Sequence, residues 1–120
     1  MDILAASGAE VMKISVRQVV GEDCLTVKDG HRLYKHFIAE LQADREVELD
    51  FTGVQAVAAS FFNSSLGFLL RDFEPRDLAR LVKVSQLDPA ALNVLRRVLQ
   101  NCKQYYQRSA LEPTRQNSML

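Results

Sequence analysis

The stretch that decides the fold is Val54–Leu70, "VQAVAASFFNSSLGFLL". Immediately before it, "REVELDFTGV" (Arg45–Val54) alternates charged and apolar residues as a half-buried strand does. After Ala58 and Ala59 the pattern changes. Ser60 precedes two phenylalanines, a polar run Asn63-Ser64-Ser65 follows, and Leu66-Gly67-Phe68-Leu69-Leu70 closes the segment. A strand gives way to a helix here, expected from Ser60 to Phe73 and ending before Pro75. On a helical wheel, Phe61, Phe62, Leu66, Phe68, Leu69 and Phe73 gather on the side that must cover a sheet. Ser60, Asn63, Ser64, Gly67 and Arg71 fall opposite, with Ser65 and Asp72 at the margin. Solvated helix faces usually carry Lys, Glu and Gln. This one carries small residues, Gly67 among them, which allow another backbone or a ligand close approach. Read plainly, Ser60 is a cap worth ~0.5–2 kcal/mol on a solvated face. Read functionally, the stripe is a contact surface at a helix start, where an anion is also favoured.

Outward from this segment the elements alternate. In "VMKISVRQVV" (Val11–Val20), Met12, Ile14 and Val16 alternate with Lys13, Ser15 and Arg17, which predicts a strand. Thr26, with Asp29 three residues on, opens a helix whose apolar positions are Leu33, Phe37, Ile38 and Leu41. The strand Glu46–Phe51 places Val47, Leu49 and Phe51 on one face. Another strand, "LVKVSQL", runs from Leu81. Asp88 as cap, Pro89 at the first helical position and a staple from Leu87 to Leu92 start the last helix. Its stripe of Leu92, Leu95, Leu99, Cys102 and Tyr106 extends to about Gln107. The order β-α-β-α-β-α predicts a single small α/β domain over residues 10–107, with a mixed or partly parallel sheet covered by helices. Residues 1–9 and 108–120 lack periodicity and are expected to be flexible ends.

A chain of 120 residues suits one domain with one core. Fifteen basic residues balance fifteen acidic ones, so no single-signed field recruits nucleic acid or an anionic membrane. Cys24 and Cys102 form no CxxC pair and read as small apolar residues of a reducing, cytoplasmic protein. No membrane-spanning run and no basic leader are present, so no membrane association is expected. His31 and His36, five apart, form no metal set with any Cys or carboxylate. Neither thiol has a base fixed beside it, and no glycine-rich phosphate loop exists. No cofactor, no metal and no catalytic residue is assigned, and the protein is read as a non-enzyme. Arg96, Arg97, Lys103 and Arg108 give the last helix a basic character that suits its C-terminal dipole.

"VELDFTGVQAVAASFFNSSLGFL" (Val47–Leu69) resembles the STAS-like domain family of unknown function, relatives of the bacterial anti-sigma-factor antagonists. In the antagonists an LDL strand leads to an Asp-Ser-Ser-Gly motif whose second Ser is phosphorylated by a partner kinase. Counted from "LDF" without gaps, Ser60 falls on that Ser and Asp50 on the strand-end Asp. "DGHRLYKHFIAEL" and "LARLVKVSQLDPAALNVLRRVLQNC" extend the resemblance over about Lys13 to Cys102. Ala58, Ala59 and Phe61 replace the motif's Asp, first Ser and Gly. The resemblance implies a bacterial regulatory interaction module in signalling, whose protein partner is a histidine-kinase-like ATPase or kinase. It makes Ser60 the phosphorylation candidate; the small-residue stripe supplies the expected partner contacts at Ser60, Asn63, Ser64, Gly67 and Arg71, and Asp50, at a strand end, is expected to give structural support. Two other readings stay open: an anionic or nucleotide ligand at the same helix start, and a nucleic-acid accessory role for the basic last helix.

Overall fold

The computed structural model describes residues 11–111. Three strands, β1 (Val11–Ser15), β3 (Glu46–Asp50) and β5 (Val82–Ser85), form an all-parallel sheet in the order β1-β3-β5. A second, two-residue parallel pair joins β2 (Asp23–Cys24) to β4 (Ala56–Val57). Parallel pairing requires crossovers, and helices supply them. These are α1 (Val16–Val19), α2 (Val27–Gln42), α3 (Ala59–Ser64), α4 (Pro75–Leu81) and α5 (Pro89–Leu111), with a 3-10 turn over Gly67–Arg71. This is a small α/β domain consistent with a STAS-like fold.

Register explains the layering. Met12, Val47 and Val82 lie side by side, as do Ile14, Leu49 and Val84, and this apolar face meets the helices. The opposite face places Lys13 beside Glu48 and Glu48 beside Lys83, an alternating-charge ladder. Ser85 Oγ donates to Glu48 Oε2 at 2.7 Å across the same face. Among the described residues the helices cover one side of the sheet, where Val47, Leu49 and Phe51 are buried with Phe37, Phe61 and Phe62.

Both strong helix starts form as their spacing demands. Thr26 Oγ1 accepts the Asp29 N–H at 3.0 Å, and Asp88 Oδ1 accepts the Ala91 N–H at 2.9 Å. Four boundaries differ from expectation. The first strand stops at Ser15, whose Oγ accepts the Gln18 N–H and turns Val16–Val19 into a helical turn. The segment expected as a single Ser60–Phe73 helix is two pieces, α3 and the 3-10 turn. A separate helix, α4, precedes β5 with Pro75 in its first turn, and β5 begins at Val82. The last helix continues past Gln107 to Leu111, so residues 108–111 are helical rather than part of a tail. The remaining expected end segments lie outside the described residues.

Candidate functional site

The serines of α3 do not cap it. Ala58 is the N-cap and provides no side-chain hydrogen bond, so the expected capping role of Ser60 is corrected. Ser60 Oγ donates instead to the carbonyl of Leu25 at 3.2 Å. Ser64 Oγ donates to the carbonyl of Val27 at 2.8 Å. Ser65, fully buried, donates to the Phe61 carbonyl one turn back at 2.8 Å, a bond that bends helices. The backbone leaves α-helical geometry there, with Ser65 at φ −104°, ψ −80°. Two hydroxyls clip α3 to the start of α2, and the third ends α3.

The small-residue stripe is therefore not one exposed face. Asn63 and Arg71 are exposed, Ser60 and Ser64 half-buried, and Gly67 buried. A Cβ on Gly67 would stand 2.7 Å from Cys102 Sγ and 3.4 Å from Val98 on α5. Gly67 is thus a helix-packing position, which corrects its expected place on the contact surface. Gly30 of α2 does the same work on the other side, because a Cβ there would collide with Ser64 Oγ and the Phe61 carbonyl. Cys102 donates its thiol hydrogen to Asn63 Oδ1 at 3.2 Å, so Asn63 also ties α3 to α5.

What this packing leaves exposed is more informative. Leu25 is 44% and Val27 60% exposed, on either side of the Thr26 cap. From Val27, positions 31 and 34 continue along the same side of α2. His31 stacks on Tyr34 with centroids 5.9 Å apart, and Tyr34 meets Phe68 edge-on at 5.4 Å. The Arg71 guanidinium lies 4.3 Å above the Phe68 ring and pairs with Asp72 at 2.9 Å. The result is one ridge of Leu25, Val27, His31, Tyr34, Phe68 and Arg71, beside the hydroxyls of Ser60 and Ser64. Lys28, Arg32 and Lys35 flank it on α2, exposed and without an ion-pair partner among the described residues. Sequence reasoning weighed His31 as a metal ligand and as a base for Cys24, and passed over Leu25, Val27 and Tyr34. The available signal was two apolar residues flanking a capping Thr, a place where a chain turns and cannot bury both.

Asp50 stands at the C-terminal end of β3. Its Oδ1 accepts both the Thr52 hydroxyl (2.6 Å) and the Thr52 N–H (2.9 Å). Those bonds, the hydroxyl first, hold its carboxyl below the usual carboxylate range, with a lesser contribution from Lys13 at 3.9 Å. Asp50 pins the loop that leads toward β4. Cys24 is fully buried, and burial, then Asp29 and Asp23, push its thiol up to about 11. A thiol held protonated is a poor nucleophile. Among the described residues no cluster of three His, Cys, Asp or Glu side chains could hold a metal ion, and no helix is long and apolar enough to cross a membrane. The reading of an anion or nucleotide at this helix start draws no support from the geometry: α3 has six residues and its hydroxyls face carbonyls.

A family model described as a STAS-like domain of unknown function (DUF4325) matches residues 29–91, just over half of the chain. The match begins at Asp29, inside the capped first turn of α2, and ends at Ala91, in the first turn of α5. No curated protein and no solved structure matches the chain.

Proposed function

The chain belongs to the family of STAS-like domains of unknown function, and from that premise we propose that it is a non-enzymatic regulatory module. It docks a protein partner, a histidine-kinase-like ATPase or kinase, through the ridge that starts at Leu25 and Val27. The observation that carries this reading is the exposure of that apolar pair, 44% and 60%, beside hydroxyls that tie it to α3. Exposed apolar residues joined to Tyr, Phe and Arg have the composition of interface centres. Lys28, Arg32 and Lys35, unpaired among the described residues, favour a partner with an acidic surface.

Ser60 is the regulatory position in this proposal. A phosphate on its Oγ would replace the hydrogen bond to Leu25 and place up to about two negative charges beside the ridge. An acidic partner would then be released.

Calorimetry against a histidine-kinase-like ATPase from the same genome tests the docking. Val27→Asp should weaken binding at least tenfold, about 1.4 kcal/mol, with little change in melting temperature, since Val27 is 60% exposed. Unchanged affinity would remove the ridge from the interface. Mass spectrometry after incubation with that partner and ATP tests the switch, and an unmodified Ser60 would end it.

A further inference from the structure

On the far side of the helical layer, α4, α5 and the 3-10 turn stand apart over the edge strand β5 and leave a trough of about 420 Å³. Its floor and walls are aliphatic: Leu66, Leu69, Leu78, Val84, Leu95 and Leu99 all line it. Polar groups come from one helix only, where Arg96, Gln100 and Lys103 line the trough along α5. Arg96 and Lys103 are two turns apart on the same side of that helix. Both are exposed, and neither has an ion-pair or hydrogen-bond partner among the described residues. Among the described residues no carboxylate lines the trough; the acidic Asp72 and Glu74 lie in a neighbouring groove that shares Lys103.

We infer that this trough binds an amphipathic anion, a single hydrocarbon chain ending in a carboxylate, with the chain on the leucine walls and the head between Arg96 and Lys103. The size falls within the ~300–1,000 Å³ of small-molecule sites, which are mostly apolar with a few placed polar groups. A peptide segment fits worse. Each of its residues brings an N–H and a C=O that need partners, and Gln100 is the one uncharged polar side chain in the lining. A hydrocarbon makes no such demand, and the two cations match one anionic head. The site is separate from the ridge, so this inference stands or falls independently of the docking proposal.

Titration of the full chain with octanoate, decanoate and dodecanoate, below micelle-forming concentrations and at low ionic strength, tests it. Decanoate should bind saturably, shift the methyl resonances of Val84, Leu95 and Leu99, and bind at least fivefold tighter than decanol. Ala79→Phe, at an exposed α4 position that lines the trough, should abolish binding without unfolding the domain. The double variant Arg96→Gln with Lys103→Gln should erase the preference for the anion over the alcohol while leaving decanol binding in place. No saturable binding by the wild type would overturn the inference, as would equal affinity for decanol or indifference to both variants. Methyl shifts at the trough on deleting residues 112–120 would show the chain's own tail to be the occupant and would overturn it too.

Discussion

The two sides of the helical layer close by opposite means. Where α3 lies between α2 and α5, glycine and serine sit at the contacts, and the elements approach until a single added methyl would collide. Where α4 and α5 straddle β5, the contacts are leucines and valines, and a trough of about 420 Å³ remains between them. Large apolar residues do not by themselves close a core. Bulky side chains hold helices apart, whereas Gly30, Ser64 and Gly67 let backbones meet and let hydroxyls reach neighbouring carbonyls. The tight side should punish any added volume, and the open side should tolerate it.

Gly30→Ala gives the largest contrast. In an unobstructed helix this change stabilises by ~1 kcal/mol. Here the new Cβ would collide with Ser64 Oγ and the Phe61 carbonyl, so the sign reverses and the domain should lose about 3 kcal/mol in urea unfolding. A stabilised Gly30→Ala variant would show that the seam is looser than described. A second effect concerns Cys24, buried on the tight side. Its folded thiol is pushed to about 11 from an ordinary 9.0, chiefly by burial. The folded state therefore favours the protonated thiol. That contribution is intact below pH 9 and is lost as pH rises toward 11, on the order of 2 kcal/mol. The difference between wild-type and Cys24→Ala unfolding profiles across this window isolates it, and parallel profiles would contradict the burial.

Smaller effects separate the two sides further. Ser65→Ala removes the hydroxyl that ends α3 without adding volume and should cost about 1 kcal/mol, because the Phe61 carbonyl keeps the Ser65 N–H as a donor. Chemical denaturation together with the helical circular dichroism of the variant would check it. Val84→Ile, on the wall of the trough, should remain within about 1 kcal/mol of wild type and lie on the stabilising side, since it adds a methyl to empty space. A loss comparable to that of Gly30→Ala would make the two sides alike.

The contrast also explains what the sequence could disclose. Thr26 with Asp29, and Asp88 with Pro89, are local signals, because each cap bonds an N–H three residues on. Val47, Leu49 and Phe51 were legible because alternation reports directly on a strand with one buried face. The break after Ser64 was not legible. Ser65 turns its hydroxyl onto the carbonyl one turn back, and Ser60 and Ser64 reach Leu25 and Val27, more than thirty residues away; a helical wheel carries neither term. The same wheel turned Gly67 outward because it assumed an unbroken helix. Helix α4 was missed because "PRDLARL" runs into "VKVS" with no glycine or proline between them. The ridge escaped notice because exposure of Leu25 and Val27 follows from where a cap turns the chain, whereas periodicity reports only which residues share a face.

The register of the sheet bears on the time course of folding. Met12, Val47 and Val82, which pair in turn across β1, β3 and β5, are equally spaced along the chain. Loop-closure entropy depends on the logarithm of loop length, so docking β1 or β5 onto the central β3 costs nearly the same. Loop length alone gives neither pairing priority. Both contacts are distant in sequence, which places this domain among slower folders than helical bundles of its size. During synthesis the tie is broken by direction, because β3 emerges while β5 and α5 are still to be made. On the growing chain the partners of the β1–β3 pairing, with α2 between them, are therefore complete before α5 is made to close over Gly67.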